Sequence, residues 1–441
     1  MPDFILPEDP AYDSARLAWN LSADQHPAAV VIAKTVDDVK ESLAWARERG
    51  LRVTSQTTGH AAETLPSLDG SLLLKTQLHD GEVEIDTEAL TARVAAGAKW
   101  DDVITAAAPH GLTALHGSSP SVGVIGYLLG GGLNSYGRSH GLASNHVDAF
   151  EVVTEDGREL RVDADREPEL FWALRGGGGG LAVVTAVEIE LLPLAEVFAG
   201  ATFLPVEKAA ETLDAWLEWT ANANDATTSN FRILRLPPFE EIPEPIRGKA
   251  VACVDGVSVD QASGEELASI LGGIGEPLMG GWGVQPTAAV TRLHGDPEEP
   301  LPGTGDSAML VRLDESAARS FLGAVGGDTS TSLVVAELRH AGGQLGRTAK
   351  DAGVLDRLDG EYVLFATGMA ATPEMTSATV SDLANLFEAM EPWTSETKFI
   401  NLAGAGCEFD NCFPPEAVER LRTVFDEYSP KRLFLDARSI D

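Results

Sequence analysis

Two stretches of this chain stand out by residue type for chemistry, a glycine-rich run and a polar turn ending in histidine. Residues 117–141 contain eight glycines in 25 positions, against 44 in 441 for the whole chain. The glycines follow no three-residue repeat, which excludes collagen. Glycine reaches positive φ and lets backbone come close to a ligand. Successive backbone N–H groups in such a run can converge on an anion as a nest. The stretch is apolar and sparsely charged, which suits a flat ring with a phosphate tail. It equally suits a set of tight turns between buried strands. The second stretch, Ser55-Gln56-Thr57-Thr58-Gly59-His60, is a polar turn leaving the end of a strand. Its imidazole is a nucleophile when neutral, and the ordinary histidine pKa is about 6.5.

The flanking pattern supplies the elements that must position these groups. Ala28-Ala29-Val30-Val31-Ile32-Ala33 predicts a buried strand. Thr35 offers an N-cap with Asp37 and Asp38 in the first turn, and Gly50 ends the helix. Leu51-Arg52-Val53-Thr54 follows as a second strand, so a parallel β-α-β unit with a right-handed crossover is expected. Leu72-Leu73-Leu74 and residues 90–94 predict further strands, and 100–108 a helix stopped by Pro109 and Gly111. Glu155-Asp156-Gly157 between two apolar runs is a hairpin signal. Residues 170–175 lead into five glycines, 176–180, and 183–189 predict a strand. Beyond residue 196, helical patterns at 206–224, 373–390 and 415–427 alternate with strands such as 333–338. Residues 295–306 predict a loop. This part predicts an antiparallel sheet with helices on one face, a separate α+β domain.

Composition narrows the function classes. The formal net charge is -36, from 32 Lys+Arg and 68 Asp+Glu. Such acidity repels phosphates, so no nucleic-acid partner and no anionic membrane surface is expected. The three cysteines, Cys253, Cys407 and Cys412, make neither a disulfide framework nor a CxxC metal pair. No metal is expected. Residues 1–6 lack a basic region and a long apolar run, so no signal peptide is read. No apolar run reaches about 18 residues, so no transmembrane helix is read either. A cytoplasmic protein is the expectation.

The order of signals is specific. Gly59-His60 comes first, then Ser119-Pro120-Ser121-Val122-Gly123-Val124 and Gly130-Gly131-Gly132. Tyr136-Gly137-Arg138, Asp156-Gly157 and Leu170-Phe171-Trp172-Ala173-Leu174-Arg175-Gly176-Gly177-Gly178-Gly179 follow. Arg420-Leu421, Tyr428-Ser429-Pro430 and Ser439-Ile440 close the set. Together these resemble FAD-linked oxidases of the vanillyl-alcohol oxidase superfamily, in its berberine-bridge-enzyme-like branch. The resemblance implies an α+β protein with a PCMH-type FAD-binding domain at 1–195, built of two α/β subdomains. A substrate-binding domain at 196–412, an antiparallel sheet with helices on one face, would follow. Residues 413–441 would return to the FAD-binding domain. FAD would be held by Gln56, Thr57, Thr58, Gly59, His60, Ala61, Gly117, Ser118, Ser119, Val122, Gly123, Gly126, Tyr127 and Val184.

The family's first turn usually reads Arg-Gly-Gly-Gly-His, and here it is Gln56-Thr57-Thr58-Gly59-His60. His60 matches the histidine that many members bond to the flavin. Bicovalent members add a cysteine where this chain has Ser119, and a hydroxyl is not a comparable nucleophile. The resemblance therefore implies one covalent link, through His60 only. Gly117 and Val122 fall where members leave room for oxygen, and Tyr127 near the ribityl chain. The family's tyrosine base is replaced by Val418, and a closing asparagine by Arg432. A base must then come from elsewhere, if one is needed. On the strand Glu337-Leu338-Arg339-His340, His340 is the leading acid–base candidate and Arg339 an anion binder, with Tyr362 and Asn401 behind them. Each could equally be a structural partner. His110, His116, His140 and His146 are expected in turns or on the surface.

The implied activity is an oxidase acting on an alcohol, sugar or secondary metabolite. Hydride would pass to flavin N5, and O2 would reoxidise the flavin to give H2O2. A flavin-dependent cyclase or oxygenase of secondary metabolism, and a catalytically silent FAD-binding protein, are the alternatives. The partners expected are a small-molecule substrate and O2; oligomeric state is not legible.

Overall fold

The computed structural model describes residues 2–327 and 329–438; Met1, Ser439 and Ile440, which entered the sequence reading, lie outside them. The first sheet comprises β1 (Ala29–Ala33), β2 (Arg52–Gln56) and β3 (Ser71–Thr76) in the order β1-β3-β2, all parallel. The expected β-α-β unit is therefore present, but β3 lies between its two strands. Leu72, Leu73 and Leu74 are at most 1% exposed. A strand apolar on both faces belongs in the centre of a covered parallel sheet. The crossover helix Val36–Arg49 starts with the anticipated cap. Asp38 N donates to Thr35 Oγ1 at 3.2 Å, and Thr35 N returns a bond to Asp38 Oδ2 at 3.0 Å. Gly50 ends it at φ 66.

The second sheet is antiparallel, in the order β4-β5-β8-β6-β7. Its strands are β4 (Val83–Asp86), β5 (Thr91–Ala95), β6 (Val147–Val153), β7 (Glu159–Val162) and β8 (Val183–Glu190). The β6–β7 hairpin turns at the expected place, with Gly157 at φ 88. Residues 117–141 leave this unit between β5 and β6 and contain the helix Val124–Leu129.

The third sheet holds seven antiparallel strands in the order β12-β9-β11-β10-β14-β15-β13. They are β9 (Glu196–Pro205), β10 (Thr227–Arg235), β11 (Ala250–Ser258), β12 (Met279–Pro286), β13 (Gly303–Leu310), β14 (Leu333–His340) and β15 (Tyr362–Met369). β13 begins inside the stretch expected to be loop. Helices Ala209–Thr220, Gln261–Ile274, Glu315–Val325 and Pro373–Met390 cover one face. Phe231, Ile233, Ala252, Val254, Ala336 and Leu338 fill the core beneath them. Strand alternation sends their neighbours Arg232, Asp255, Glu337 and Arg339 to the opposite face.

The chain ends return to the start. The helix Pro415–Tyr428 packs on the helix Pro168–Leu174, and Val53 of β2 exchanges backbone bonds with Leu433 and Leu435 at 2.9 and 2.8 Å. Arg432 has φ 49. Asparagine adopts that left-handed region more readily than arginine does. Its guanidinium pairs with Asp426 at 2.7 Å.

Candidate active site

Two loops meet at His60. The first leaves the end of β2, where the parallel ladder with β3 stops at Gln56. Gly59 has φ 86, and a Cβ there would stand 2.7 Å from the Ala18 Cβ and 2.9 Å from Gln56. Only glycine fits that turn. The second loop runs over 117–123 into the helix Val124–Leu129. A Cβ on Gly123 would come within 3.1 Å of Thr57, so the two loops touch. Among the described residues, the backbone N–H groups of Thr58, Gly59, His60, Ser119, Ser121 and Val122 make no hydrogen bond within the chain. Two rows of open amides thus lie on the two touching loops. Gly126 is exposed, with nothing within 4 Å of where its Cβ would be.

The His60 ring is fixed from three sides. Nδ1 bonds Thr58 Oγ1 at 2.8 Å, and Nε2 lies 3.3 Å from Ser121 Oγ, itself 3.0 Å from Ser119 Oγ. Trp19 stacks on the ring at 4.1 Å and 14°. Burial, with the Lys99 charge adding and Asp296 opposing, pushes His60 down to about 4. The imidazole is therefore neutral at pH 7, and one nitrogen keeps its lone pair.

A cleft separates residues 118–135 from the exposed face of the seven-stranded sheet; Ser118, Asn134, Asn230, Asp255, His294 and Arg339 are among its walls. The sheet face carries a buried ionic chain. Arg232 pairs with Asp255 at 2.6 Å, and Asp255 with His294 Nδ1 at 3.1 Å. His294 Nε2 meets Glu337 at 3.0 Å, and Glu337 pairs with Arg339 at 2.5 Å. Asp296 ties the chain to the glycine-rich stretch by accepting a 2.6 Å bond from Ser118 Oγ. Burial and Arg232 push His294 down, but Asp255 and Asp296 outweigh them and raise it to about 9. Glu337 is opposed by burial yet held at about 2 by Arg339 and His294. Asp255 is likewise held far below the usual carboxylate range, by Arg232 and His294 acting against burial. Every member is ionised at neutral pH.

Residues 27–163 match the FAD binding domain family. The (R)-6-hydroxynicotine oxidase of Paenarthrobacter nicotinovorans is 33% identical over 44% of this chain, and the match spans 42% of that protein, less than half its length. YvdP of Bacillus subtilis, an uncharacterised FAD-linked oxidoreductase, is 27% identical over 99% of this chain and 97% of its own. The solved wild-type BBE-like 1 of Physcomitrella patens has the same fold: TM-score 0.85 at 17% identity, over 100% of this chain and 97% of that one. The chain's fold is the two-domain PCMH-type fold of the berberine-bridge-enzyme-like proteins.

Within that fold, the sequence-derived residues divide. Gln56, Thr57, Thr58, Gly59, His60 and Ala61 form the first loop, and Gly117, Ser118, Ser119, Val122, Gly123 and Gly126 the second. Gly117 is required by packing as well, since a Cβ there would meet the Tyr127 ring at 3.0 Å. Tyr127 is not free to reach a ligand with its hydroxyl, which donates to Leu133 O at 2.8 Å. Val184 is buried in β8. Asn401 Oδ1 accepts from Gly132 N at 2.8 Å and so braces the glycine-rich stretch. Val418 is in the core and 1% exposed.

Arg339 reaches the cleft, whereas the rings of His340 and Tyr362 do not. His340 borders the cleft, yet its ring stacks on Tyr362 at 5.4 Å and meets the edges of Trp216 and Trp219 under the helices. Burial drives its pKa well below the ordinary value. The Tyr362 hydroxyl bonds Thr220 Oγ1 at 2.7 Å in the same layer. The helices supply those aromatic partners, which alternation within one strand cannot reveal. His116 is fully buried, not superficial: Nδ1 bonds Gly117 O at 2.7 Å and the ring meets Tyr136 edge-on.

Sequence reasoning missed Trp19, Arg232, Asp255, His294 and Asp296. Two had a signal. Arg232 in Phe231-Arg232-Ile233-Leu234 and Asp255 in Val251-Ala252-Cys253-Val254-Asp255 are lone charges at alternating positions of apolar strands. A charge that must be buried needs a partner. Trp19, His294 and Asp296 sit in irregular segments and had none.

Proposed function

We propose that this chain is an FAD-dependent oxidoreductase that works as an oxidase on a small molecule bound in the cleft. The observation that carries the reading is the pair of touching loops with open amides, joined at a neutral, ring-stacked histidine. A pyrophosphate needs N–H donors rather than particular side chains, and the loops offer them. Gln56–Ala61 and Gly117–Tyr127 are the cofactor's loops, and Val184 lies on the strand behind. His60 is the single covalent anchor, because Ser119 stands where a second would need a thiol. Bound FAD would accept a hydride from a substrate carbon and pass the electrons to dioxygen, giving hydrogen peroxide.

The charged sheet face favours one substrate class. Among the described residues bordering the cleft, no group is poised as a strong base. Glu337 is held at about 2, His294 at about 9 as a cation, and the His340 ring lies behind the sheet. An alcohol or sugar must lose a hydroxyl proton as hydride leaves, which calls for a base. A neutral amine can give up hydride from the adjacent carbon without one. The positive charge then left on the substrate would face Asp255, Glu337 and Asp296. We therefore rank amines above alcohols and sugars, in keeping with the nicotine-oxidising relative.

The test is direct. The purified protein should be yellow, and acid precipitation should leave the colour in the pellet; His60→Ala should release it to the supernatant. Peroxide should form with a panel of secondary and tertiary cyclic amines and not with alcohols or sugars. Peroxide from alcohols and sugars alone would overturn the amine ranking and keep the FAD reading. Flavin that stays oxidised with every substrate tried would favour the silent alternative. Protein that stays colourless with added FAD would sink all three.

A further inference from the structure

Cys407 and Cys412 flank a single 3-10 turn, Phe409–Asn411, and both are buried. Cys412 N donates to Phe409 O at 2.9 Å, which folds the second thiol back over the first. The two Sγ atoms stand 3.3 Å apart. Phe409 and Phe413 stack at 6.0 Å beside the pair. Two cations lie near. Arg438 donates to Ile400 O at 3.0 Å, and its buried Nε makes no hydrogen bond. Lys398 pairs with Asp306 at 2.6 Å. The sulfur–sulfur hydrogen bond, with Arg438 and Lys398 behind it, holds Cys407 at about 6 against the opposing effect of burial. The same bond and burial push Cys412 up. At neutral pH one thiolate therefore faces one thiol. Cys253 is the contrast: alone in the core of the large sheet, it is raised by burial to about 12.

We propose that Cys407 and Cys412 are a redox modification site, closed to a disulfide by hydrogen peroxide. The Cys407 thiolate attacks one peroxide oxygen, breaks the O–O bond and becomes a sulfenic acid, releasing hydroxide. Cys412 loses its proton and attacks the Cys407 sulfur; the S–S bond forms and the second oxygen leaves as water. Two thiols and one peroxide give one disulfide and two waters, and both electrons end on oxygen. Peroxide is small enough to enter a buried site, and the two thiols need only about 1.3 Å of further approach to reach the disulfide bond length.

The site sits where such a clip would be felt. Lys398 N donates to Asn411 O at 2.7 Å, and three residues on, Asn401 braces Gly132. Phe399 lies 3.2 Å from where a Cβ on Gly131 would stand. Closure would fix the 407–412 turn, whose Asn411 O is bonded to the segment that holds the glycine-rich stretch in place.

The experiment uses the full chain with its flavin. Protein is treated with stoichiometric peroxide, alkylated after unfolding, and cleaved after Glu408 or before Asp410. The expected result is two fragments joined by a reducible link, with Cys253 alone still alkylated, so free thiols fall from three to one. The link should vanish in Cys407→Ser and Cys412→Ser, while Cys253→Ser keeps it. Three alkylated cysteines after peroxide, or Cys407 oxidised to sulfinic acid without a link, would overturn the proposal. Because peroxide is added, the outcome does not depend on the oxidase reading.

Discussion

The amino-terminal loops and the sheet face across the cleft are built on opposite principles. These loops, the amino-terminal wall, are poor in side chains: they carry Thr58, Gly59, His60, Ser119 and Ser121 with open backbone amides, and glycine where a Cβ would collide. The facing wall is all side chain. Buried Arg232, Asp255, His294 and Glu337 form one ionic chain with the partly exposed Arg339. Backbone amides recognise a phosphate whatever the neighbouring residues are, so that wall suits a constant ligand. Side chains from four separated segments can be exchanged one at a time, so the second wall suits a variable one.

Breaking the ionic wall should have the largest effect. Asp255→Ala leaves the Arg232 charge buried without its partner, and removing one partner of a buried pair costs about 3–5 kcal/mol. The urea midpoint should fall accordingly, while any folded protein keeps its flavin absorbance. Replacing the Arg232–Asp255 pair together by Met and Leu should recover most of the loss, since an apolar pair of similar volume is often as stable. A double variant no better than Asp255→Ala would mean that the wall is not an ionic unit. Gly59→Ala attacks the other wall. Its positive φ costs about 1–2 kcal/mol with any side chain, and the new Cβ also meets Ala18. The flavin-to-protein absorbance ratio should drop, with the seven-stranded sheet intact by circular dichroism.

The same contrast explains what could be read in advance. Glycines 59, 117 and 123 announce themselves because close backbone approach leaves its mark in contiguous sequence. The cap at Thr35, the turn at Gly157 and the helix Pro373–Met390 are equally local and were legible. The ionic wall is assembled by register, with Arg232 opposite both Cys253 and Glu337 across two strand pairings. No window along the chain contains that information. His340 shows the cost: strand alternation correctly separated it from Arg339, but which face met the cleft depended on helices 120 residues away in sequence.

A pH titration sharpens the comparison with a smaller, reversible effect. His294 is raised to about 9 in the fold. A raised group stabilises fully below its unfolded pKa, about 6.5, and loses that contribution as pH climbs through the folded value. Glu337, held at about 2, has the opposite sign: its contribution is complete above about 4.5 and fades toward pH 2. The urea midpoint should therefore be level between about pH 4.5 and 6.5 where these two groups govern it, and fall between 6.5 and 9. His294→Gln should remove the alkaline fall. An alkaline fall unchanged in His294→Gln would place its origin elsewhere.

The smallest effect is expected where the amino-terminal wall does use a side chain. Thr57 Oγ1 lies 3.0 Å from Thr76 Oγ1 and 2.9 Å from Ala96 O, so its hydroxyl faces the protein and not the space between the loops. Thr57→Gly brings the turn closer to the family's usual glycine run. It removes hydrogen bonds whose net contribution is about 1 kcal/mol each, and it adds backbone freedom to the unfolded chain. Thermal stability should decline slightly. Flavin content should not change, because the amides that would hold the pyrophosphate remain. Loss of flavin from Thr57→Gly at a temperature where the protein is fully folded would show that this wall reads its ligand through side chains, and the contrast between the two walls would collapse.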